Sequence, residues 1–400
     1  MNGKFNLKGI WWRYYIPILL FVGVFFVPQT RKFFFDTGWR WAYVLFLSFA
    51  LSFCLTPVCR WIAYRLNILD RPDGRKDGRK IHRKATPLLG SAAVFIGFSA
   101  AILINGIYSL KLGAILVGSA VLFVVGFVDD FKEVPAGFKL VAQIVCTLFV
   151  MSCGIVLQVV PVGLGLLSSV SNVLLTVFWI VGITNAMNFF DGMDGLAAGL
   201  GVIIAFFLGV VAFQTGQPFL GWISVAMMGS CIGFLPYNFV RKGRATIFLG
   251  DAGSTVIGFI LACVAVYGEW AEGNPIVAIA SPLLIFWLLI FDMVHITVDR
   301  ILNGKVVSVR QWIEYVGKDH LHHRLALVLG GQKKSVLFIY LLSICLGASA
   351  VVLRNARPVD ALLLLIQACI IVVLVTILER RGRLSGGGDN DLDPDEVDGR

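Results

Sequence analysis

Charge is scarce in this 400-residue chain: Asp, Glu, Lys and Arg make up 14 % of it against 58 % hydrophobic residues, and the mean hydropathy is +0.84. Water-soluble domains carry roughly a quarter charged residues, so the deficit excludes one and marks an integral membrane protein with lipid around it and no nucleic-acid partner. Zinc-type cysteine spacing is missing as well. None of the eight cysteines (positions 54, 59, 146, 153, 231, 263, 345 and 369) forms a Cys-x-x-Cys pair, and most lie inside apolar runs, so they read as free, buried thiols. A cleavable leader is not expected either, because Trp11, Trp12, Tyr14 and Tyr15 form an aromatic anchor and no small-residue cleavage site follows at close range. Histidine is rare, yet three of the five fall together as His320, His322 and His323.

What the chain has instead is a succession of apolar runs, each about 20 residues long and so able to cross a bilayer. Helices are expected near 14–28, 39–59, 88–105, 112–128, 138–157, 172–190, 195–214, 218–239, 252–270, 276–298, 335–353 and 359–378. The fold class is therefore all-α: a polytopic transmembrane helix bundle of about 11–12 spans. Residues 1–38 form an N-terminal extension whose short run at 14–28 is either an extra span or an interfacial helix, 39–380 the membrane domain, and 381–400 a disordered acidic tail.

Alternation of the spans fixes the side of every loop. With the amino terminus inside, only six of the 34 Lys and Arg residues fall outside: Arg31, Lys32, Arg40, Lys111, Arg354 and Arg357. The positive-inside rule accepts this orientation and rejects its opposite. The expected location is the inner (plasma) membrane, with the ionisable clusters on the cytoplasmic face.

Those clusters are few and sharply placed. A charge at membrane depth costs roughly 2.5–3.5 kcal/mol on insertion scales, so such residues usually face protein, water or an ion. Asp129 and Asp130 end an apolar run, as a pair of oxygen donors suited to Mg²⁺ or as an ordinary solvated helix end. Lys139 is either a point charge for phosphate or a snorkelling side chain. Asn185, Asn188, Asp191 and Asp194 interrupt two spans, with a helix break expected at Gly192 and Gly195; a turn closed by its own Asx bonds is the plainer alternative. Asp251, between Gly250 and Gly253, is a ligand or merely the cap of the helix that follows.

His320-Leu-His322-His323-Arg324 lies in a long loop and suits a diphosphate, although a zinc site and a solvated loop have the same composition. Asp292 and His295, three apart near the end of the tenth span, are expected to pair with each other or with Arg300. His82 lies in the basic loop from Asp70 to Lys84.

Five of these segments, in this order, resemble the polyprenyl-phosphate N-acetylhexosamine-1-phosphate transferase family, over roughly residues 40–355. They are Arg79-Lys80-x-His82 with Pro87-x-x-Gly90; Asp129-Asp130 through Lys139 and Gln143; Asn185-x-x-Asn188-x-x-Asp191-Gly-x-Asp194-Gly195; Phe248-x-Gly250-Asp251-x-Gly253-Ser254; and His320-Leu-His322-His323. The resemblance implies transfer of a sugar-1-phosphate from a UDP-N-acetylhexosamine to polyprenyl (undecaprenyl) phosphate with release of UMP. It implies Mg²⁺, with Mn²⁺ as the alternative, held by Asp251 and Asn188. It implies that four aspartates carry the chemistry, Asp129 as base or as the group that orients the lipid phosphate, and Asp130, Asp191 and Asp194 around metal and nucleotide. It further implies that Lys139, Asn185, His82, His320, His322, His323 and Arg324 bind substrate, and it is compatible with a homodimer without fixing the oligomeric state.

Followed by Arg-Leu, the His-x-His-His pattern resembles the simple-sugar branch, which favours UDP-N-acetylglucosamine and the first lipid-linked step of a cell-surface polysaccharide. Departures are Leu88, where an arginine is common, and the extra residues Val240 to Arg244. Two other readings stand beside it. A lipid or solute transporter would hold its acids near the bilayer midplane. A CDP-alcohol-type phosphotransferase would need Asp-Gly-x-x-Ala-Arg, whereas Leu196-Ala197-Ala198 follows Asp194-Gly195 with no arginine.

Overall fold

The computed structural model describes residues 22–71, 85–160, 165–240, 243–271, 275–308, 311–312, 315, 317, 319–353 and 356–385. Helix α1 covers Pro28–Asp36, α2 Arg40–Leu66, α3 Gly90–Ile104, α4 Leu110–Asp129, α5 Ala136–Ser152, α6 Leu166–Phe189, and α7 Leu196–Gln214. Then follow α8 Pro218–Asn238, α9 Gly250–Tyr267, α10 Pro275–Ile285, α11 Trp287–Leu302, α12 Leu321–Leu329, α13 Gln332–Val352 and α14 Pro358–Ser385. Two short strands, β1 Leu69–Asp70 and β2 Thr86–Pro87, pair antiparallel with Leu69 opposite Pro87.

Among the described residues eight helices are long and apolar enough to cross a membrane, or nine if α10 and α11 count as one broken span, and α3 and α5 are shorter apolar helices. Apolar helices thus lie at each of the eleven positions expected from 39 to 378. The expected span at 14–28 falls mainly outside the described residues, as do His82 and the tail beyond 385. Three expectations are corrected. Residues after Pro28, read as a loop, form α1, with proline at the first helical position where its missing N–H costs nothing. The tenth span is not straight: α10 and α11 meet at 78°. Phe286 at the junction takes φ −96°, ψ 5°, and Pro282 one turn earlier removes a ladder donor. Of the cysteines, Cys345 and Cys369 are exposed rather than buried, lying on outward faces of α13 and α14.

Helix α9 is the axis of the bundle, packing against α3, α4, α6, α7 and α8. Its sequence explains why. Small residues recur around it (Gly253, Ser254, Gly258, Ala262, Ala265), so neighbours approach from every side. Its apolar window is 83 % buried, whereas that of α14 is 22 % buried and presents leucine and isoleucine outward. At one end of the bundle, Arg40 donates from Nη2 to the Asn105 carbonyl at 2.6 Å and lies 4.0 Å over the Trp222 ring, which binds α2, α3 and α8 together. At the other end, backbone bonds link Phe248 N to Pro87 O (2.8 Å), Gly90 N to Phe248 O (3.1 Å) and Ser91 N to Leu249 O (3.1 Å). Those bonds fix the segment that leads into α9.

Deleting a fully buried ring on the axis should therefore cost more than trimming the outer helix. Phe259→Ala, at 0 % exposure, is expected to destabilise by about 3–5 kcal/mol. Leu363→Ala, at 58 % exposure on α14, should stay within about 0.5 kcal/mol, both read as unfolding in mild detergent.

Candidate active site

Because α9 packs against both α4 and α6, the acidic end of α4, the Asn/Asp turn after α6 and the first turn of α9 meet at one end of the bundle. Asp129 closes α4. Its Oδ1 accepts from Val134 N at 2.7 Å and its Oδ2 from Lys139 Nζ at 2.6 Å. Lys139, on the first turn of α5, also lies 3.5 Å from Asp251 Oδ2, so one ammonium spans two carboxylates from separate helices. Asp251 is the more open of the two, with its side chain 44 % exposed against 8 % for Asp129.

Asp130 turns the other way and accepts from Asp251 N at 3.0 Å. Thus the N-terminus of α9 is capped by a residue of α4, not by its own aspartate, and a carboxylate there is favoured by the helix dipole. The turn that permits this needs Gly250: its φ is +77°, and a Cβ there would lie 2.7 Å from Asp130 Oδ2. Burial, followed by the charge of Asp251, pushes Asp130 up to about 8, and its Oδ2 has no partner. Asp191 is likewise held well above the usual carboxylate range, by burial and then by the charges of Asp251, Asp130 and Asp194. Asn188 reaches α9 by donating from Nδ2 to Ser254 Oγ at 3.0 Å.

This donor set is all oxygen, carries clustered negative charge and keeps a buried carboxylate oxygen unpartnered, which fits a hard divalent cation. No three His, Cys, Asp or Glu among the described residues are grouped tightly enough to hold a metal by themselves. A cation here would complete its shell with water and substrate oxygens, as Mg²⁺ does beside phosphates.

The remaining members of the Asn/Asp segment brace the turn. Asn185 and Asn188 lie in the last turns of α6, and the chain leaves the helix after Phe189 and turns through Gly192 and Gly195, where the break is expected. Asp194 Oδ2 accepts from Ala245 N at 2.7 Å and ties down the loop before Gly250. Gly195 N donates to Asn238 Oδ1 at 2.8 Å, and its carbonyl accepts from Tyr340 Oη at 2.5 Å. Asn185 is paired with Gln143 through both amides, at 2.6 and 3.3 Å, joining α6 to α5. Asn238 and Tyr340 were not singled out by sequence; each is a polar side chain in a largely apolar helix, which was the available signal.

The histidine segment, expected as a loop, is helical from Leu321 onward and docks on this turn. A Cβ added at Gly192 would fall 2.5 Å from His322 Nε2, and the His322 ring lies 5.7 Å from that of Phe190. His322 is buried with no hydrogen-bond partner on either ring nitrogen. Burial, then the neighbouring charges of His323, His320 and Arg324, holds it well below the usual imidazole range. His320 stacks on Phe189 at 4.9 Å and His323 lies 4.2 Å from His322.

Asp292, His295 and Arg300 do not pair among themselves as expected. Residues 288, 292, 296 and 300 form the buried stripe of α11, so its polar groups look across at the α12 region. Asp292 meets His320, His295 meets Arg324, and Arg300 makes a two-pronged bond to Asp319 at 2.7 and 2.8 Å.

The raised Asp130 gives a signed prediction. A carboxyl whose folded pKa lies above its unfolded value contributes stability that is full below about pH 4 and lost as pH rises towards about 8. In chelator-treated protein, Asp130→Asn should melt higher than the parent near pH 8 and nearly with it at pH 4, because Asn keeps an oxygen for Asp251 N. A gain that is constant with pH would contradict the charge explanation.

Comparison with known proteins places these residues in context. The model of glycosyl transferase family 4 matches residues 112–269, the stretch from α4 to the end of α9. The probable undecaprenyl-phosphate N-acetylglucosaminyl 1-phosphate transferase of Bacillus subtilis (strain 168) is 35 % identical over 310 residues, covering 76 % of this chain and 82 % of the relative. The decaprenyl-phosphate N-acetylglucosaminephosphotransferase of Mycobacterium tuberculosis (strain ATCC 25618 / H37Rv) is 32 % identical over 380 residues, 86 % of this chain and 89 % of the relative. The phospho-N-acetylmuramoyl-pentapeptide-transferase of Listeria monocytogenes is 30 % identical over 256 residues, 57 % of this chain and 77 % of the relative. With identity of this order running through the helices that carry the acidic cluster and beyond them, the chain is a member of glycosyl transferase family 4.

Proposed function

We propose that this protein transfers N-acetylglucosamine-1-phosphate from UDP-N-acetylglucosamine to a polyprenyl phosphate, undecaprenyl phosphate being the first choice, and releases UMP. The observation that carries the reading is the meeting of Asp129, Lys139 and Asp251 at one end of an apolar bundle, in a chain whose relatives are named for this transfer. An oxygen of the lipid phosphate attacks the sugar-bearing phosphorus, the bond from that phosphorus to the bridging oxygen breaks, and UMP leaves with the electron pair. Such a transfer asks for alignment and charge neutralisation more than for covalent help.

Mg²⁺, with Mn²⁺ as substitute, would be held by Asp251 and Asn188 and would neutralise the diphosphate. Lys139, bridging Asp129 and Asp251, places a positive charge where the two phosphates approach. Asp129, with Val134 N and Lys139 fixing its two oxygens, orients that ammonium and the incoming lipid phosphate. Asp130 holds the first turn of α9 in place, and Asp191, within the field of Asp251, would serve metal and nucleotide. The histidine helix supplies imidazoles to diphosphate and sugar. The concentration of Lys and Arg in the loops of this face supports a cytoplasmic site in the inner membrane, where UDP-sugars are available. A transporter would hold its acids at mid-membrane, whereas these sit at helix ends.

The test is UMP release by purified protein given undecaprenyl phosphate, Mg²⁺ and a panel of UDP-sugars. Release should require both lipid and metal and be fastest with UDP-N-acetylglucosamine; absence of UMP with every sugar would sink the reading. Asp251→Asn should lower turnover by about 10²-fold or more with membrane insertion intact. Near-parental turnover would remove Asp251 from the site.

A further inference from the structure

We infer that Asp292 and Glu379 are positioning residues that hold the histidine helix against the active site, Asp292 by orienting His320 and Glu379 by anchoring Arg324. The inference rests on the proposed role of that helix in binding the donor diphosphate.

Asp292 is fully buried, on α11, and its carboxylate is surrounded by donors from the α12 segment. Oδ2 lies 2.8 Å from His320 Nδ1, Oδ1 accepts from Leu321 N at 2.8 Å, and Arg324 Nη2 lies 3.8 Å from Oδ1. Leu321 N is one of the N–H groups that a helix start leaves unsatisfied, so the carboxylate caps α12 from a neighbouring helix. With Oδ1 taken by Leu321 N–H and Oδ2 facing Nδ1, the proton of that pair is assigned to Nδ1. The opposite edge of the ring, Nε2, is then the one left for a ligand, and stacking on Phe189 sets the ring plane two residues from Asp191.

Arg324 is one turn further along α12 and on the same face. Its Nη1 lies 2.8 Å from His295 Nδ1 and its Nε 3.2 Å from Glu379 Oε2, and its side chain is only 8 % exposed. Glu379 is itself 2 % exposed and belongs to α14. The guanidinium therefore acts as a strut joining α11, α12 and α14, and α14, otherwise the most lipid-exposed span, reaches the site through one buried acid. A single buried carboxylate left without these donors would be costly, which makes the arrangement specific to its partners.

The test is a double-mutant cycle on UDP-N-acetylglucosamine binding, read by calorimetry with Mg²⁺ on full-length protein. Asp292→Asn keeps an oxygen for Leu321 N–H but turns an amide N–H₂ towards His320, forcing the other tautomer. It should weaken binding about tenfold in the parent and leave binding unchanged in a His320→Ala background. Equal loss in both backgrounds, or no loss in the parent, overturns the role of Asp292. Should Asp292→Asn fail to fold, Asp292→Glu, which displaces the ring without changing the proton, goes through the same cycle with the same expectation. Glu379→Gln should weaken binding severalfold in the parent and not in an Arg324→Ala background, where the partner is gone, and equal loss in both backgrounds overturns the anchor. UMP release by the parent is measured in parallel. Its absence would refute the transferase reading, while the binding cycle would still decide whether these acids act through His320 and Arg324.

Discussion

Negative charge gathered at the end of an apolar bundle is the constraint on which the rest of this structure depends. Carboxylates held that close repel one another and lose hydration, so each needs a donor from somewhere else in the chain. The protein meets this need across helices: Lys139 of α5 serves Asp129 of α4 and Asp251 of α9, and the first turn of α9 serves Asp130. Every such bond also fixes one helix end relative to another. The acidic cluster and the helix arrangement are therefore a single feature, and α9 sits on the axis because three of the contributing ends must touch its first turns.

The same logic operates in a second layer behind the first. The buried stripe of α11 carries Asp292 and Arg300, and the region of α12 answers with His320, Leu321 N and Asp319. Burial works against the ionised form of Asp319, but the hydrogen bonds and charge of Arg300 outweigh it and hold that carboxyl below the usual range. Two adjoining polar layers, one of acids around a lysine and one of imidazoles and guanidinium around acids, give a family 4 transferase opposite charge on the two sides of its site.

Sequence was most informative where a polar residue interrupts an apolar run. The apolar helices from Arg40 onward, the break around Gly192 and Gly195, and the acidic ends of α4 and α9 all follow from composition and periodicity, because lipid permits few alternatives. Partnerships were not legible. Asp130 meets Asp251 across 121 residues and Asp194 meets the loop at Ala245 across 51, and no local pattern encodes which distant backbone amide a carboxylate will find. Asp292 and His295 illustrate the failure: their spacing of three invited pairing with each other, but both point from one face of α11 and find partners on the helix opposite. The bend at Phe286 and the helicity after His320 escaped for a related reason, since both depend on what the segment packs against rather than on its own propensities.

The strut from Arg324 to Glu379 has an implication for how the molecule is made. Glu379 lies in α14, well after α9 in the order of synthesis, whereas Asp129 and Lys139 come earlier, at the end of α4 and the start of α5. The bundle around α9 can be packed while translation continues, yet the second polar layer stays open until α14 arrives. Completion of the second layer is thereby tied to the arrival of α14, so a chain cut short before that helix would leave an inserted but unfinished centre in the membrane.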